Sequence, residues 1–331
     1  MNRRLLRAAG VGLLAVAGAL APAPPPSSVR AEPAATGRRA FAAAHFAVSP
    51  RLRDLPPEPR FRPEDVVDDV RVRPPRFFRV EAAGVAPSVD AARQASLPEA
   101  AALPAPSVSF DGLSSADNGA LFGFRVSPPD TNGDVGPSHY VEIVNLAYRV
   151  YDKSGQPLTP ARKLSTLFAA LGGPCAGRDD GDPVVLYDPL ADRWLLSQFC
   201  TVATPNNHEL VAISRTGDPT GDYFLYDFMM PNDKFNDYPK FGVWSDAYYM
   251  TDNQYNQAGT AFQGAGVFAF DRAKMLAGDP STGFIYFDLA ADPSTASAGG
   301  VRVYTITVTA TDSHGLATAR AVAVTVPHGR R

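Results

Sequence analysis

Lysine is absent from the first 105 residues of this 331-residue chain, and glutamate is all but absent from the remainder. The opening stretch carries fifteen Arg against ten acidic residues, whereas residues 106–331 carry sixteen basic and twenty-four acidic ones. The larger part is therefore net acidic, and it has no basic stripe suited to nucleic acid. Of its twenty-four acids only Glu142 and Glu209 are glutamate. Glutamate favours helices, while aspartate caps turns and ligates hard cations. That bias argues against a helical protein and for a turn-rich β protein, with Ca2+ as the cofactor such acids would suit. Cysteine is scarce as well: Cys175 and Cys200 stand outside any CxxC or Cys/His metal spacing. Nucleophile-elbow, P-loop, HExxH and dinucleotide patterns are all missing. Long apolar runs are missing too, apart from residues 8–21, which fall short of the roughly 20 needed to span a bilayer.

What is present begins with an export signal. Arg3, Arg4 and Arg7 precede the apolar run, and Ala31 supplies a small residue for cleavage. Residues 1–31 read as a signal peptide, with an uncleaved anchor as the alternative; Arg3-Arg4 also resembles a twin-arginine signal. The mature chain is expected to be secreted, periplasmic or on the cell surface. In such oxidising surroundings Cys175 and Cys200 suit a disulfide, with two separate buried thiols as the alternative. Residues 32–105 are rich in Pro, Ala and Arg. They read as a largely disordered linker or pro-region, because proline at that density prevents long helices and central strands.

From about residue 106 short β runs alternate with Asp/Gly/Pro turns. Tyr140, Trp194 and Tyr248 recur at intervals of 54, each opening a strand after a tight turn. A strand-built period of that size is the mark of a β-propeller, one four-stranded sheet per blade. The aromatic would wedge between neighbouring sheets. A β-sandwich with matching turns is the alternative. Residues 106–290 hold about three blades, fewer than the roughly four to eight that close a ring, so an open arc is expected. After a seam at 291–300, residues 301–328 alternate Thr and apolar residues around a turn, as in a β-hairpin from an Ig-like module. The expected fold class is thus all-β: an incomplete propeller-like repeat region plus a C-terminal Ig-like β-hairpin.

Three motifs carry a resemblance. Ser127-Pro-Pro-Asp-Thr-Asn-Gly-Asp-Val-Gly-Pro-Ser-His-Tyr140 is the first. Gly181-Asp-Pro-Val-Val-Leu-Tyr-Asp188 with Asp192-Arg-Trp-Leu-Leu-Ser-Gln-Phe199 is the second, and Phe235-Asn-Asp-Tyr-Pro-Lys-Phe-Gly-Val-Trp244 the third. Together they resemble a family of exported bacterial proteins that carry a propeller-like region, often followed by Ig-like modules. The likeness covers roughly residues 107–290 and implies export and fold, but no particular activity. The tail is similar to the last two strands of polycystic-kidney-disease or cadherin-like modules. Against that pattern, the later blades and the front of the Ig-like module are not found.

Asp130, Asn132 and Asp134 have the first three ligand spacings of an EF-hand loop. Val135 and Val141 occupy the positions that need Gly and Glu, so a Ca2+ site here would be of another kind, and a plain turn is the alternative. Asp179, Asp180 and Asp182 form the densest carboxylate group. The repeat brings Asp182 into correspondence with Asp130 and Asp237, so these three would face one another near the propeller axis. Asp130, Asn132, Asp134, Asp180, Asp182 and Asp237 are therefore the candidate metal ligands, with separate turn caps as the alternative. Asp188, Asp192 and Asp246 read as structural turn residues. Isolated His139 and His208 read as structural too.

Two functions fit. The first is an exported non-catalytic scaffold, adhesion-type or ligand-binding protein, stabilised by Ca2+ and meeting a cell-surface polysaccharide or protein. The second is a propeller glycoside hydrolase or lyase using funnel carboxylates as acid and base. The first is preferred because no residue set has the signature of a nucleophile or a metal-bound water. Neither a nucleic-acid partner nor an integral membrane segment after signal removal is expected.

Overall fold

The computed structural model describes residues 38–72, 105–202, 207–231, 233–288, 301–311 and 317–327. The expected signal peptide at 1–31, residues 73–104 and the seam at 291–300 lie outside them. Three strands come from the N-terminal segment: β1 (Arg38–Ala42), β2 (His45–Val48) and β3 (Val67–Val72). Helix α1 (Ser115–Phe122) ends at Gly123, whose φ of 77° is a left-handed cap, and leads into β4 (Phe124–Ser127), which pairs parallel with β3.

Three four-stranded antiparallel meanders follow in chain order. The first holds β5 (Asn132–Val135), β6 (His139–Val144), β7 (Ala147–Asp152) and β8 (Arg162–Lys163). Beyond helix α2 (Leu164–Phe168), the second holds β9 (Val184–Asp188), β10 (Arg193–Cys200), β11 (His208–Ser214) and β12 (Tyr223–Met229). The third holds β13 (Lys234–Val243), β14 (Ala247–Asn256), β15 (Phe262–Asp271) and β16 (Gly283–Asp288), with α3 (Arg272–Ala277) before its last strand. Tyr140, Trp194 and Tyr248 are each the second residue of the second strand. The 54-residue interval therefore repeats one meander per period.

The second sheet is covered on both faces. Trp194, Leu196, Leu210, Ala212, Tyr223 and Leu225 pack with Val141, Ile143, Tyr148 and Val150 of the first sheet. Their strand neighbours Leu195, Val211, Ile213, Tyr226 and Phe228 pack with Tyr248, Met250, Phe268, Phe270, Phe284 and Tyr286 of the third. Alternate residues of one strand point to opposite faces, so each strand feeds two cores. Fully burying one such side chain contributes about 1.5–3 kcal/mol.

The expected linker needs correction. Within 32–105, residues 38–72 contain three strands rather than disordered chain. β1 pairs antiparallel with β16 and β2 with β12, giving the third and second sheets a fifth strand each. No proline lies between Pro33 and Pro50, so every N–H there is free to join a ladder. The proline-rich continuation is docked as well: Arg162 donates to the carbonyls of Leu55 and Pro56, and Glu58 accepts from Lys163 N and Thr166 Oγ1.

Cys175 and Cys200 form the expected disulfide, with an S–S distance of 2.07 Å and Cα atoms 5.9 Å apart. β17 (Val301–Thr311) and β18 (Ala317–Pro327) form an antiparallel hairpin, and among the described residues no sheet closes on itself. Among those residues no helix is long and apolar enough to cross a membrane.

Candidate functional site

The first strands of the three sheets, β5, β9 and β13, are neighbours. Asp130 and Asp182 each stand two residues before such a strand, with positive φ of 40° and 46°. Tyr238, with φ of 55°, takes the same conformation at a bulge in β13. Aspartate tolerates this left-handed region better than most residues, because its short polar side chain bonds locally. The third position belongs to Tyr238, one residue beyond the expected Asp237.

These residues join in a chain of bonds across the sheets. Asn145 donates through Nδ2 to Asp130 Oδ2 at 2.6 Å, and its Oδ1 accepts from Asp182 N at 3.1 Å. Asp182 Oδ2 then accepts from Tyr238 N at 3.0 Å. Asn132 Oδ1 and Asp134 Oδ2 accept from Val185 N and Tyr187 N, both at 2.7 Å. Asp180 pairs with Arg178 and accepts from Thr201 N at 2.8 Å. Asp237 lies on β13, where its charge helps to raise the pKa of Asp252. Among the described residues, the one trio of His, Cys, Asp or Glu with ligand atoms within 4.8 Å of one another is Cys175, His208 and Asp227. Cys175 is disulfide-bonded, so that trio is no metal centre. The structure thus links Asp130 to Asp182 through Asn145 but does not gather three of the expected acidic ligands around one point.

Two buried carboxyl groups outside that set lie between the second and third sheets. Glu209 on β11 is wholly buried and Asp252 on β14 nearly so. Burial pushes Asp252 up to about 8, against the opposing pull of the Gly266 N–H and the Lys234 charge. Burial likewise pushes Glu209 well above the carboxylate range; Ser197 and Asn236 oppose the shift, while Asp252 and Asp182 add to it. Asn236 Nδ2 donates to Glu209 Oε2 at 2.9 Å, and Gly266 N donates to Asp252 Oδ1 at 3.0 Å. Alongside, Lys234 Nζ bonds both Asp288 oxygens at 2.8 Å and Gln254 Oε1 at 3.1 Å. Two signals in the sequence pointed here. Glu209 is a rare glutamate next to the apolar run Leu210–Ile213, and the apolar alternation of Tyr248 and Met250 places Asp252 on the same buried face.

Two further polar clusters are structural. Buried Asp227 accepts His45 Nδ1 at 2.8 Å and His208 Nδ1 at 2.6 Å, holding β2 against the second sheet. Asp188 is bonded by Arg272 Nε at 2.8 Å and by the Tyr248 hydroxyl at 2.8 Å, a tie between the second and third sheets. Burial alone would raise its pKa, but these bonds hold it below the ordinary value. No family model, curated protein or solved structure matches this chain.

Proposed function

We propose that the chain is an exported, non-catalytic scaffold of the adhesion or ligand-binding type, built from consecutive propeller-like blades. One observation carries this reading: Asn132, Asp134, Asn145 and Asp182 commit acceptors to main-chain N–H groups of the next sheet. A glycosidase needs two carboxylates open to a sugar. Here Asp134 and Asp182 are rungs between sheets, and Glu209 has no solvent exposure. Equivalent placement of Tyr140, Trp194 and Tyr248 supports the blade reading. The Arg-apolar-small order at the N-terminus and the disulfide support export. Tyr238, Trp244 and Tyr249 of the third sheet are 49%, 63% and 40% exposed and offer a face to a surface polysaccharide or protein. The purified chain is incubated with the host's surface polysaccharide. Co-sedimentation without new reducing ends supports the scaffold. Release of reducing ends that disappears in Glu209→Gln overturns it.

A further inference from the structure

We infer that a hard divalent cation binds in the seam between the second and third sheets, held by Ser197, Glu209, Asn236 and Asp252. This site is separate from the six aspartate-rich positions considered above, and it stands whether the fold is a scaffold or an enzyme.

Four oxygens carry the inference. Ser197 Oγ, Glu209 Oε1, Asn236 Oδ1 and Asp252 Oδ2 are buried and have no hydrogen-bond partner. Their residues are 0%, 0%, 1% and 4% exposed. An unmade bond at a buried polar group costs about 1–3 kcal/mol, so native proteins leave few of them. Four in one seam is a concentration that needs a cause. Ser197 pairs with Val211 and Glu209 with Phe199, which puts Ser197 and Glu209 diagonally on one face of the second sheet. Asn236 crosses from the third sheet to bond Glu209, and Asp252, two residues from the Gln254 that pairs with Asn236, lies on the same face.

The chemistry of the four atoms selects the ligand. Asn236 Nδ2 donates to Glu209 Oε2 at 2.9 Å and to His208 O at 3.4 Å, which fixes the amide with its oxygen as the free atom. Three of the four are then acceptors only when the acids are ionised; the Ser197 hydroxyl and a water have protons enough for them, but neither offsets two buried negative charges. A cation satisfies all four at once. An all-oxygen set with two carboxylates suits Ca2+ or Mg2+ and not a soft metal. Lys234 does not fill this role, because its ammonium is already bonded to Asp288 and Gln254. His208 bonds Asp227 instead, so no imidazole enters the set. Gly266 lets the Asp252 carboxyl seat against the strand: a Cβ there would lie 2.3 Å from Asp252 Oδ1.

The test uses the full chain, with Ca2+ as the probe. Calorimetry with Ca2+ is expected to show binding, and melting is expected to move upward in Ca2+ relative to chelator, because the ion binds the native state preferentially. The isosteric pair Glu209→Gln with Asp252→Asn should lose that shift, while Asp130→Asn with Asp134→Asn should keep it. Absence of binding to the wild type overturns the site, as does a Ca2+ shift that survives in the first pair. Should that pair fail to fold, wild-type crystals soaked in Tb3+ decide. An anomalous peak between Glu209 and Asp252 supports the site, and peaks confined elsewhere reject it. Failure here leaves the polysaccharide co-sedimentation outcome untouched, so the two readings fall separately.

Discussion

Trp194 sits where the first and second sheets meet, almost wholly buried, with its ring 5.1 Å from Tyr187 and its Nε1 bonded to Gly217 O at 3.1 Å. Its room depends on Gly136, where a Cβ would come within 2.8 Å of the indole. Trp194→Ala should therefore cost about 3–5 kcal/mol in urea unfolding, and Gly136→Ala about 1–3 kcal/mol by overpacking. A Trp194→Ala loss below about 1 kcal/mol would remove the wedge role. Two aspartates should respond to pH with opposite signs. Hydrogen bonds from Arg272 and Tyr248 outweigh burial and hold Asp188 low, so its contribution is present above about pH 4 and fades as pH falls through its lowered native pKa. Burial raises Asp179 to about 6, against two bonds from Ser165. Its native state holds the proton more tightly, so stability falls as pH rises from about 4 to about 6. Stability measured against pH in Asp188→Asn and Asp179→Asn checks both. Each variant should flatten its own limb, and an unchanged limb would reject that assignment. Asp188→Asn should also cost about 3–5 kcal/mol by leaving a buried Arg272 short of its counter-charge.

At the scale of elements, the repeat was readable because each meander is local in sequence. Tyr140, Trp194 and Tyr248 mark it, since a large aromatic after a tight turn has one place to go in each sheet. The fifth strands were not readable. β2 pairs with β12, with Phe46 opposite Tyr226, and β1 with β16, with Phe41 opposite Phe284, so no local pattern announces them. The proline count of the whole segment also masked the proline-free window that forms them. The surroundings of the acids were not readable for a related reason. Asn132, Asp134 and Asp182 each accept a main-chain N–H of the next sheet, and that partner is invisible until the sheets are stacked. Glu209 stands beside the apolar run Leu210–Ile213 and Asp252 in alternation with Tyr248 and Met250, where the sequence shows only that a charge is out of place. Two predictions belong here. Removing the disulfide by Cys175→Ser with Cys200→Ser should cost roughly 3 kcal/mol for a loop of 25 residues, read from urea midpoints. Deleting residues through Ser49 should expose the edges of β12 and β16 and drive aggregation, whereas a chain starting at Glu32 should stay soluble. Equal solubility of the two, by light scattering, would show that the edge strands are dispensable.

Among the described residues the three larger sheets pack so that the second serves two cores. β11 is buried along all seven of its residues, and β10 along all but its first. Opening their ladder requires separating the second sheet from both the first and the third, which is close to unfolding everything. The outer sheets differ. The first ends in β8, only two residues long, and β14 of the third alternates buried and exposed positions from Tyr248 to Gln254. Amide protection is set by the cheapest opening that frees each N–H, so it should be graded across the three sheets. Exchange at β10 and β11 should be slowest and should track global stability, with β7 and β14 intermediate and β8 fastest. The N-terminal strands sharpen the expectation. β1 lies on the third sheet and β2 on the second, and the two residues between them, Ala43 and Ala44, bond Thr282 O and Asp227 O. A chain lacking them should lose protection at β12 and β16 together while β6 and β7 of the first sheet keep theirs. Mass-spectrometric exchange on the full and shortened chains reads both effects. Protection at β10 and β11 no greater than at β7 would mean that the second sheet is not the common core, and loss at β12 alone would mean that the N-terminal strands do not couple the two sheets.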